Sequence, residues 1–457
     1  MTTASLHADH AWLPDGFAGG VRFDVDASGA LTSAERGAAR GDAKPLGRFV
    51  VPGMPNLHSH AFQRAMAGLA ERQSNPDDSF WTWREVMYAF AGRVGPDELR
   101  AIAAQLYVEM LKAGYTQVCE FHYLHHRPDG SAYAEPAAMS LALVEAARET
   151  GIGLSLLPTL YMTGGFDGRP LSERQRRFRF DVDGYLRLLE RLRREESPQV
   201  RVGIALHSLR AVPEAAMRSV LESDFARDRP IHIHVAEQIG EVQDCLALRN
   251  ARPVEWLLDH APVDARWCLV HATHLSDAEM RRLASSGAVV GLCPTTEANL
   301  GDGLFPLKSY LDAGGRFGIG SDSHISVSVV EELRWLEYGQ RLATRRRNVS
   351  ASRNAPSTGE ILFRHALAGG AQASGASIAA LAAGSRADFV VLDEASPWLA
   401  GRDAAHLLDT FVFAGNANLV RSVVVGGETV VSDFRHRDEE RIAARYREVV
   451  ERLARAA

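Results

Sequence analysis

Histidines and carboxylates recur at one kind of place along this chain of 457 residues: directly after a short apolar run. His58 and His60 follow Phe49-Val50-Val51 and a turn, His234 and Glu237 follow Ile231-His232-Ile233, His271 and His274 follow Leu269-Val270, and Asp322 follows Phe317-Gly318-Ile319-Gly320-Ser321. One such residue among 17 histidines is ordinary; the same habit at four run ends is not. Side chains at i and i+2 of a strand share a face, so His58 and His60 can hold one ion together. The imidazoles of His58, His60 and His234 with the Asp322 carboxylate form a donor set suited to Zn²⁺ first and Fe²⁺ second, with a position left for water. Glu237, three residues past His234, is placed to move a proton between water and a substrate nitrogen without binding the ion. His271 is placed to hydrogen-bond that water or a developing oxyanion. His232 shares the strand face of His234 but lies deeper, which suits a structural role, while His274 and His324 are candidates for support behind the ligands. Lysine occurs only at 44, 112 and 308. None lies on the third or fourth run, so no carboxylated lysine can bridge two ions, and one divalent metal is the expectation.

Elements of regular length must bring these residues together. Between residues 48 and 325, β-rich runs at 49–56, 117–123, 153–160, 200–206, 230–237, 267–274, 288–294 and 316–322 alternate with amphipathic helix-like stretches. Such alternation implies an α/β fold built of βαβ units on a parallel sheet. Eight runs over about 280 residues match a (β/α)8 TIM-type barrel, with a doubly wound open sheet as the alternative that pattern alone leaves. In a barrel, active residues sit at the C-terminal ends of the strands, which is where these polar residues fall. Short strands in 1–50 and again in 376–435, the latter with a Gly426-Gly427 hairpin, suggest a small β-sandwich built from both termini. The expected organisation is therefore 1–50 plus 376–435 as sandwich, 51–375 as barrel, and 436–457 as a closing helix. Two long loops interrupt the pattern. The stretch 63–95 carries Phe80-Trp81-Thr82-Trp83 and reads as a lid; the arginine-rich 162–180 fits a surface loop better.

The hydrophobic fraction is 46%, the charged fraction 24% and the net charge −6, without an acidic or basic tail. This balance argues against nucleic acid or an anionic membrane as the main partner. The cluster Arg341 to Arg347 reads as a solvated helix end. Residues 1–10 lack a charged segment leading into an apolar core, and no apolar run approaches the roughly 20 residues needed to cross a bilayer. The four cysteines have no CxxC spacing and suit a reducing compartment, so a soluble cytoplasmic protein is expected.

His-x-His, His-x-x-Glu, a later His and a final Asp, in this order, resemble the amidohydrolase superfamily, and within it the mononuclear deaminase branch. Met54-Pro55-Asn56-Leu57-His58-Ser59-His60-Ala61-Phe62-Gln63-Arg64-Ala65-Met66-Ala67-Gly68 is similar to the deiminase family that acts on N-formimidoyl-L-glutamate in bacterial histidine degradation, as is Gly320-Ser321-Asp322-Ser323-His324 leading into Glu331-Glu332-Leu333-Arg334-Trp335. The resemblance implies hydrolysis of the formimino carbon to give N-formyl-L-glutamate and ammonia, with Asp322 and His271 drawing off the proton of water and Glu237 passing one to the leaving nitrogen. It also implies a small-molecule substrate with two carboxylates. Arg84 and Arg210 are then the candidate carboxylate partners, and Gln63, Tyr123 and His207 the candidate hydrogen-bonding contacts. A related deaminase acting on guanine, a pterin or another amidine-bearing metabolite is the alternative. Proteins of this architecture often form homodimers, and a homodimer is the expected assembly.

Overall fold

The computed structural model describes residues 2–72 and 80–455, so part of the aromatic insert, 73–79, lies outside the described residues. Eight parallel strands form the barrel: β1 Met54–Ser59, β2 Tyr115–His122, β3 Gly153–Leu160, β4 Ile204–Ser208, β5 Ile231–Val235, β6 Trp267–His271, β7 Val289–Leu292 and β8 Arg316–Ile319. They are paired in sequence order from β1 to β8. A short strand, Val200–Val202, adds to β3 ahead of β4, so the fourth run is broken at Gly203. A Cβ there would meet Leu157 and Pro230 within 3 Å, a crowding only glycine avoids. The barrel closes through a single bridge between Ser59 and Asp322. There Asp322 N–H donates to the His58 carbonyl at 3.0 Å and His60 N–H to the Asp322 carbonyl at 3.3 Å.

The strands are apolar on both faces because helices cover the outside and side chains fill the inside. Every residue of β2, β3, β5, β6 and β7 is buried. The helices follow the alternation: Pro96–Lys112 packs on Ala138–Thr150, and the terminal helix Glu439–Arg455 covers Pro96–Lys112 in turn. Among the described residues, no helix is long and apolar enough to cross a membrane.

Both termini build the second layer. One mixed sheet runs Arg435–His436, Glu428–Ser432, Val420–Val425, Phe389–Leu392, Lys44–Pro52, Thr2–Leu13, Gly16–Asp26, Leu31–Glu35. Its separate core gathers Leu6, Val21, Phe23, Val50, Phe389 and Val391. The Gly426-Gly427 hairpin turns with φ of 57° and 82°, the left-handed pair that a two-residue hairpin loop requires. The first apolar run turns out to serve both layers. Phe49 and Pro52 pair with Leu392 and Phe389 in the mixed sheet, and the chain crosses at Gly53 to begin β1 at Met54. A Cβ on Gly53 would stand 2.2 Å from the Thr116 side chain, so the crossing needs glycine for its close approach.

Candidate active site

β1, β5 and β8 bring three further candidate donors around His58 Nε2. His58 Nε2 lies 3.1 Å from His60 Nε2 and 3.0 Å from His234 Nε2. Asp322 Oδ1 is 3.4 Å from both His58 Nε2 and His60 Nε2. The Nδ1–H of His60 donates to the Phe121 carbonyl at 2.7 Å, and that of His234 to the His207 carbonyl at 2.9 Å. These bonds fix the tautomer, so each Nε2 presents a lone pair. Burial, first of all, and then neighbouring imidazoles push the His58 and His234 rings well below the usual histidine range; burial lowers His60 as well, against the opposing pull of Asp322. His58 Nε2 faces the lone pairs of His60 and His234, and its own Nδ1 has no hydrogen-bond partner among the described residues; a cation among the three nitrogens would accept a lone pair from each. Ligand distances of about 2.0–2.1 Å place adjacent donors about 3 Å apart, as found between His58 and each of His60, His234 and Asp322, and between His60 and Asp322. The four residues fit one divalent metal.

The proton-handling residues stand beside this cluster. His271 Nε2 lies 3.7 Å from Glu237 Oε1 and 3.8 Å from Asp322 Oδ2. Behind it, Glu297 Oε1 accepts at 3.3 Å from His271 Nδ1 and at 2.9 Å from the Cys293 N–H. Burial lowers the His271 pKa, but Glu237, Glu297 and Asp322 outweigh it and hold the ring at about 10. Burial is also the main reason that Glu237 rises to about 7, with His271 and Arg210 pulling it back and Asp322 pushing it further. Ala236, His271, Ala272, Asp322 and His324 all have φ between 44° and 67°, although none is glycine. Left-handed backbone at non-glycine residues is costly, and its concentration at the ends of β5, β6 and β8 marks where the fold accepts strain to aim side chains.

One cavity joins these groups to the expected substrate contacts: Gln63, Arg84, Tyr123, His207 and Arg210 line it together with His60, His234, Glu237, His271 and Asp322. Gln63 Nε2 donates to Tyr123 Oη at 2.9 Å, which leaves the buried Gln63 Oε1 without a partner. Arg84 stacks over the Tyr88 ring at 5.4 Å. Arg210 has no carboxylate within ion-pair distance among the described residues, although Glu241 and Glu237 favour its charge from farther away. His232 donates to the Ala373 carbonyl at 2.8 Å, deeper in the barrel, as expected. His324 bridges Ser321 Oγ at 2.9 Å and Ser59 Oγ at 3.2 Å behind the ligands.

Other residues of the site are not apparent from motif spacing. Glu297 belongs to the short helix Pro294–Leu300 after β7; a carboxylate four residues past an apolar run is its only sequence mark. The arginine-rich stretch 162–180, which reads as a surface loop, instead forms a wall. Phe178 lines the cavity, and Gln175 Nε2 donates to Tyr88 Oη at 3.1 Å and Tyr161 Oη at 2.9 Å. Arg177 is 1% exposed because its guanidinium donates to the carbonyls of Ala91, Val94 and His126, pinning the end of the helix Phe80–Ala91 that supplies Arg84 and Tyr88.

Fold and site together define a metal-dependent hydrolase built on a barrel. The model described as "Amidohydrolase family" matches residues 49–430, and the chain belongs to this family. It is 53% identical to "Formimidoylglutamate deiminase" of Pseudomonas aeruginosa over 98% of this chain and 99% of that protein. It is 28% identical to "5-methylthioadenosine/S-adenosylhomocysteine deaminase" of Natronomonas pharaonis, over 85% of this chain and 82% of the other. The crystal structure of an amidohydrolase from Brucella melitensis superposes with a TM-score of 0.94 at 47% identity, covering 99% of this chain and all of that one.

Proposed function

We propose that this enzyme hydrolyses N-formimidoyl-L-glutamate to N-formyl-L-glutamate and ammonia. The observation that carries the reading is one cavity lined by two guanidinium groups, Arg84 and Arg210, and by the acid–base set Glu237, His271 and Asp322. The formimino end of the substrate is a cationic amidine and its other end bears two carboxylates. A cavity lined by both carboxylates and arginines offers partners for both charges of that substrate. The 53% identity with the Pseudomonas deiminase supports the same choice.

His58, His60, His234 and Asp322 would hold the ion, zinc by the donor set, with ferrous iron the other candidate. Bound there, a divalent ion supplies Lewis acidity and makes hydroxide available near neutral pH. The side chains do the rest. Asp322 Oδ2 takes the proton from the attacking water, while the protonated His271 ring donates a hydrogen bond from Nε2 to the water oxygen. As the water oxygen bonds to the formimino carbon, the C=N pair moves onto nitrogen. Glu237 carries the oxygen's remaining proton to that nitrogen, the C–N bond breaks, and ammonia leaves while the formyl C=O forms. His271, its Nδ1 fixed by Glu297, aims Nε2 at the oxygen throughout. Arg84 and Arg210 grip the carboxylates, with Gln63, Tyr123 and His207 adding hydrogen bonds.

Aromatic side chains line the cavity too, among them Tyr88, Tyr161 and Phe178, the kind of wall that would suit a guanine or pterin substrate. Arg210, which has no carboxylate within ion-pair distance among the described residues, would gain no counter-charge from an uncharged base, which disfavours that alternative. Ammonia release measured with N-formimidoyl-L-glutamate, guanine and cytosine separates the readings: turnover of the first alone is expected, and turnover only of a nucleobase overturns the proposal. All four cysteines are free and buried, which supports a reducing, cytoplasmic setting. Trp335, Tyr338 and Leu342 stand exposed along one helix, Val329–Thr344, and support a homodimer as the assembly.

A further inference from the structure

Behind Glu237 stands an acid that has no part in the chemistry above. Asp302 lies between two glycines with φ of 71° and 131°, in the turn after the helix Pro294–Leu300, and is 5% exposed. It is fastened to both halves of the acid–base set. Its Oδ1 accepts from the side-chain amide of Gln238, the neighbour of Glu237. Its backbone N–H donates at 2.9 Å to the carbonyl of Glu297, the residue whose carboxylate holds His271. The other oxygen, Oδ2, is buried and has no hydrogen-bond partner. A carboxylate oxygen of Asp302, one of Glu237 and a ring nitrogen of His271 all lie within 4.8 Å of one another. Asp302 does not reach the cavity that Glu237 and His271 line.

Two buried carboxylates this close cannot both carry full charge; the pair keeps a proton. Because Oδ1 is already an acceptor, Oδ2 is the oxygen left to carry it, and a buried O–H must find an acceptor. We propose that Asp302 is a positioning residue that acts through Glu237, giving it a hydrogen bond that keeps its carboxylate turned toward the nitrogen that leaves. The charges around the pair agree. His271 faces it from β6, Glu297 from the helix after β7, Asp322 from β8 and Arg210 from the loop after β4, while the His274 ring accompanies it in the loop after β6. Burial, then Glu237, pushes the Asp302 carboxyl up to about 9, so it serves as a donor at neutral pH. The hydrogen bond would be made equally in free enzyme and complex, and so would affect turnover rather than substrate affinity.

The inference rests on the deiminase reading, and the test separates the two. Wild-type enzyme that releases no ammonia from N-formimidoyl-L-glutamate defeats the reading itself. Given wild-type turnover, Asp302→Ala is expected to lower kcat at least tenfold with KM within about twofold, while Asp302→Asn, whose amide can give the same hydrogen bond, stays within about threefold. Metal content and melting temperature are expected to match wild type in both. Should the alanine variant not fold, Asp302→Ser, too short to span the gap, takes its place. In a Glu237→Gln background the Asp302 substitution is expected to add no further loss, because its partner is gone. Equal losses in the Ala and Asn variants, an effect confined to KM, or full additivity with Glu237→Gln would each overturn the proposal.

Discussion

The Glu120 carboxylate at the end of β2 accepts a hydrogen bond from Ser59 Oγ at 2.6 Å and, through its other oxygen, one from the Ala61 N–H at 2.6 Å. It therefore grips the chain on both sides of His60. Tyr107 Oη adds a third donor at 3.3 Å. From Ser59 the contacts continue through His324 to Ser321, the neighbour of Asp322, and Asn56 Nδ2 donates to Ser321 Oγ at 2.6 Å. This buried belt ties β1 to β8 where the backbone supplies a single bridge, and so sets the distance between the paired histidines and the carboxylate that would complete their site. Residues that orient ligands typically contribute 10- to 100-fold in metal affinity. Glu120→Ala is expected to weaken zinc binding by about that factor, with Glu120→Gln in between. Titration against a chromophoric chelator measures it, and wild-type affinity in a folded Glu120→Ala protein would refute the role.

Glu237→Gln keeps the shape of the side chain and removes its proton traffic. Turnover is expected to fall on the order of 10²- to 10⁴-fold, the usual range for a general acid–base. Bound metal, read by elemental analysis, should stay at the wild-type ratio because Glu237 is not among the four donors. Loss of metal along with activity would make Glu237 a ligand instead.

The strand ends were legible because the barrel puts function where an apolar run stops, so spacing alone gathered His58, His60, His234, His271 and Asp322. The acids that hold these residues were not. Glu120 lies near the end of β2 as an ordinary carboxylate; Glu297 sits on the short helix after β7 and Asp302 in the turn that follows it, where the path of the chain depends on packing rather than period. Gln175 and Arg177 read as part of a solvated loop because nothing local tells a buried arginine fork from a solvated one. What makes Arg177 structural is the set of open carbonyls at Ala91 and Val94, more than 80 residues earlier. The division of the first run at Gly53 was hidden for the same reason. An apolar stretch reads as one strand until Thr116, on another strand, shows how closely two layers pass.

Arg210 offers the clearest test of substrate charge. Replacing a charge-assisted contact between guanidinium and carboxylate costs about 1.5–3 kcal/mol, on the order of 10- to 100-fold in kcat/KM. Arg210→Gln should show that loss mainly as a raised KM with N-formimidoyl-L-glutamate. A formimidoyl substrate lacking the carboxylate that Arg210 would grip should be a poor substrate for the wild type and lose little more in the variant. Equal losses on both substrates would mean that Arg210 shapes the cavity rather than binding the anion.

Two buried rings make a prediction about acid stability. His125 donates to the Thr159 carbonyl at 2.9 Å and His232 to the Ala373 carbonyl. Burial lowers their pKa values to about 3 and about 4, against 6.5 for an ordinary ring. Below pH 6.5 the unfolded chain therefore binds protons that the folded one refuses. The contribution to stability is intact above 6.5 and is lost as pH falls toward 4, at up to about 1.4 kcal/mol per pH unit for each ring. Glu120 runs the opposite way. Burial raises it from 4.5 to about 7, so between those values the folded state holds the extra proton, and stability rises as pH falls. Among these three groups, the carboxyl offsets one ring between 6.5 and 4.5 and no longer does so below 4.5. The glutamine amide in His125→Gln can still donate to Thr159 but cannot titrate, so the curve of unfolding free energy against pH between 6.5 and 4 should flatten by about one proton. A variant curve that runs parallel to wild type across that window would show that His125 is not one of the groups responsible.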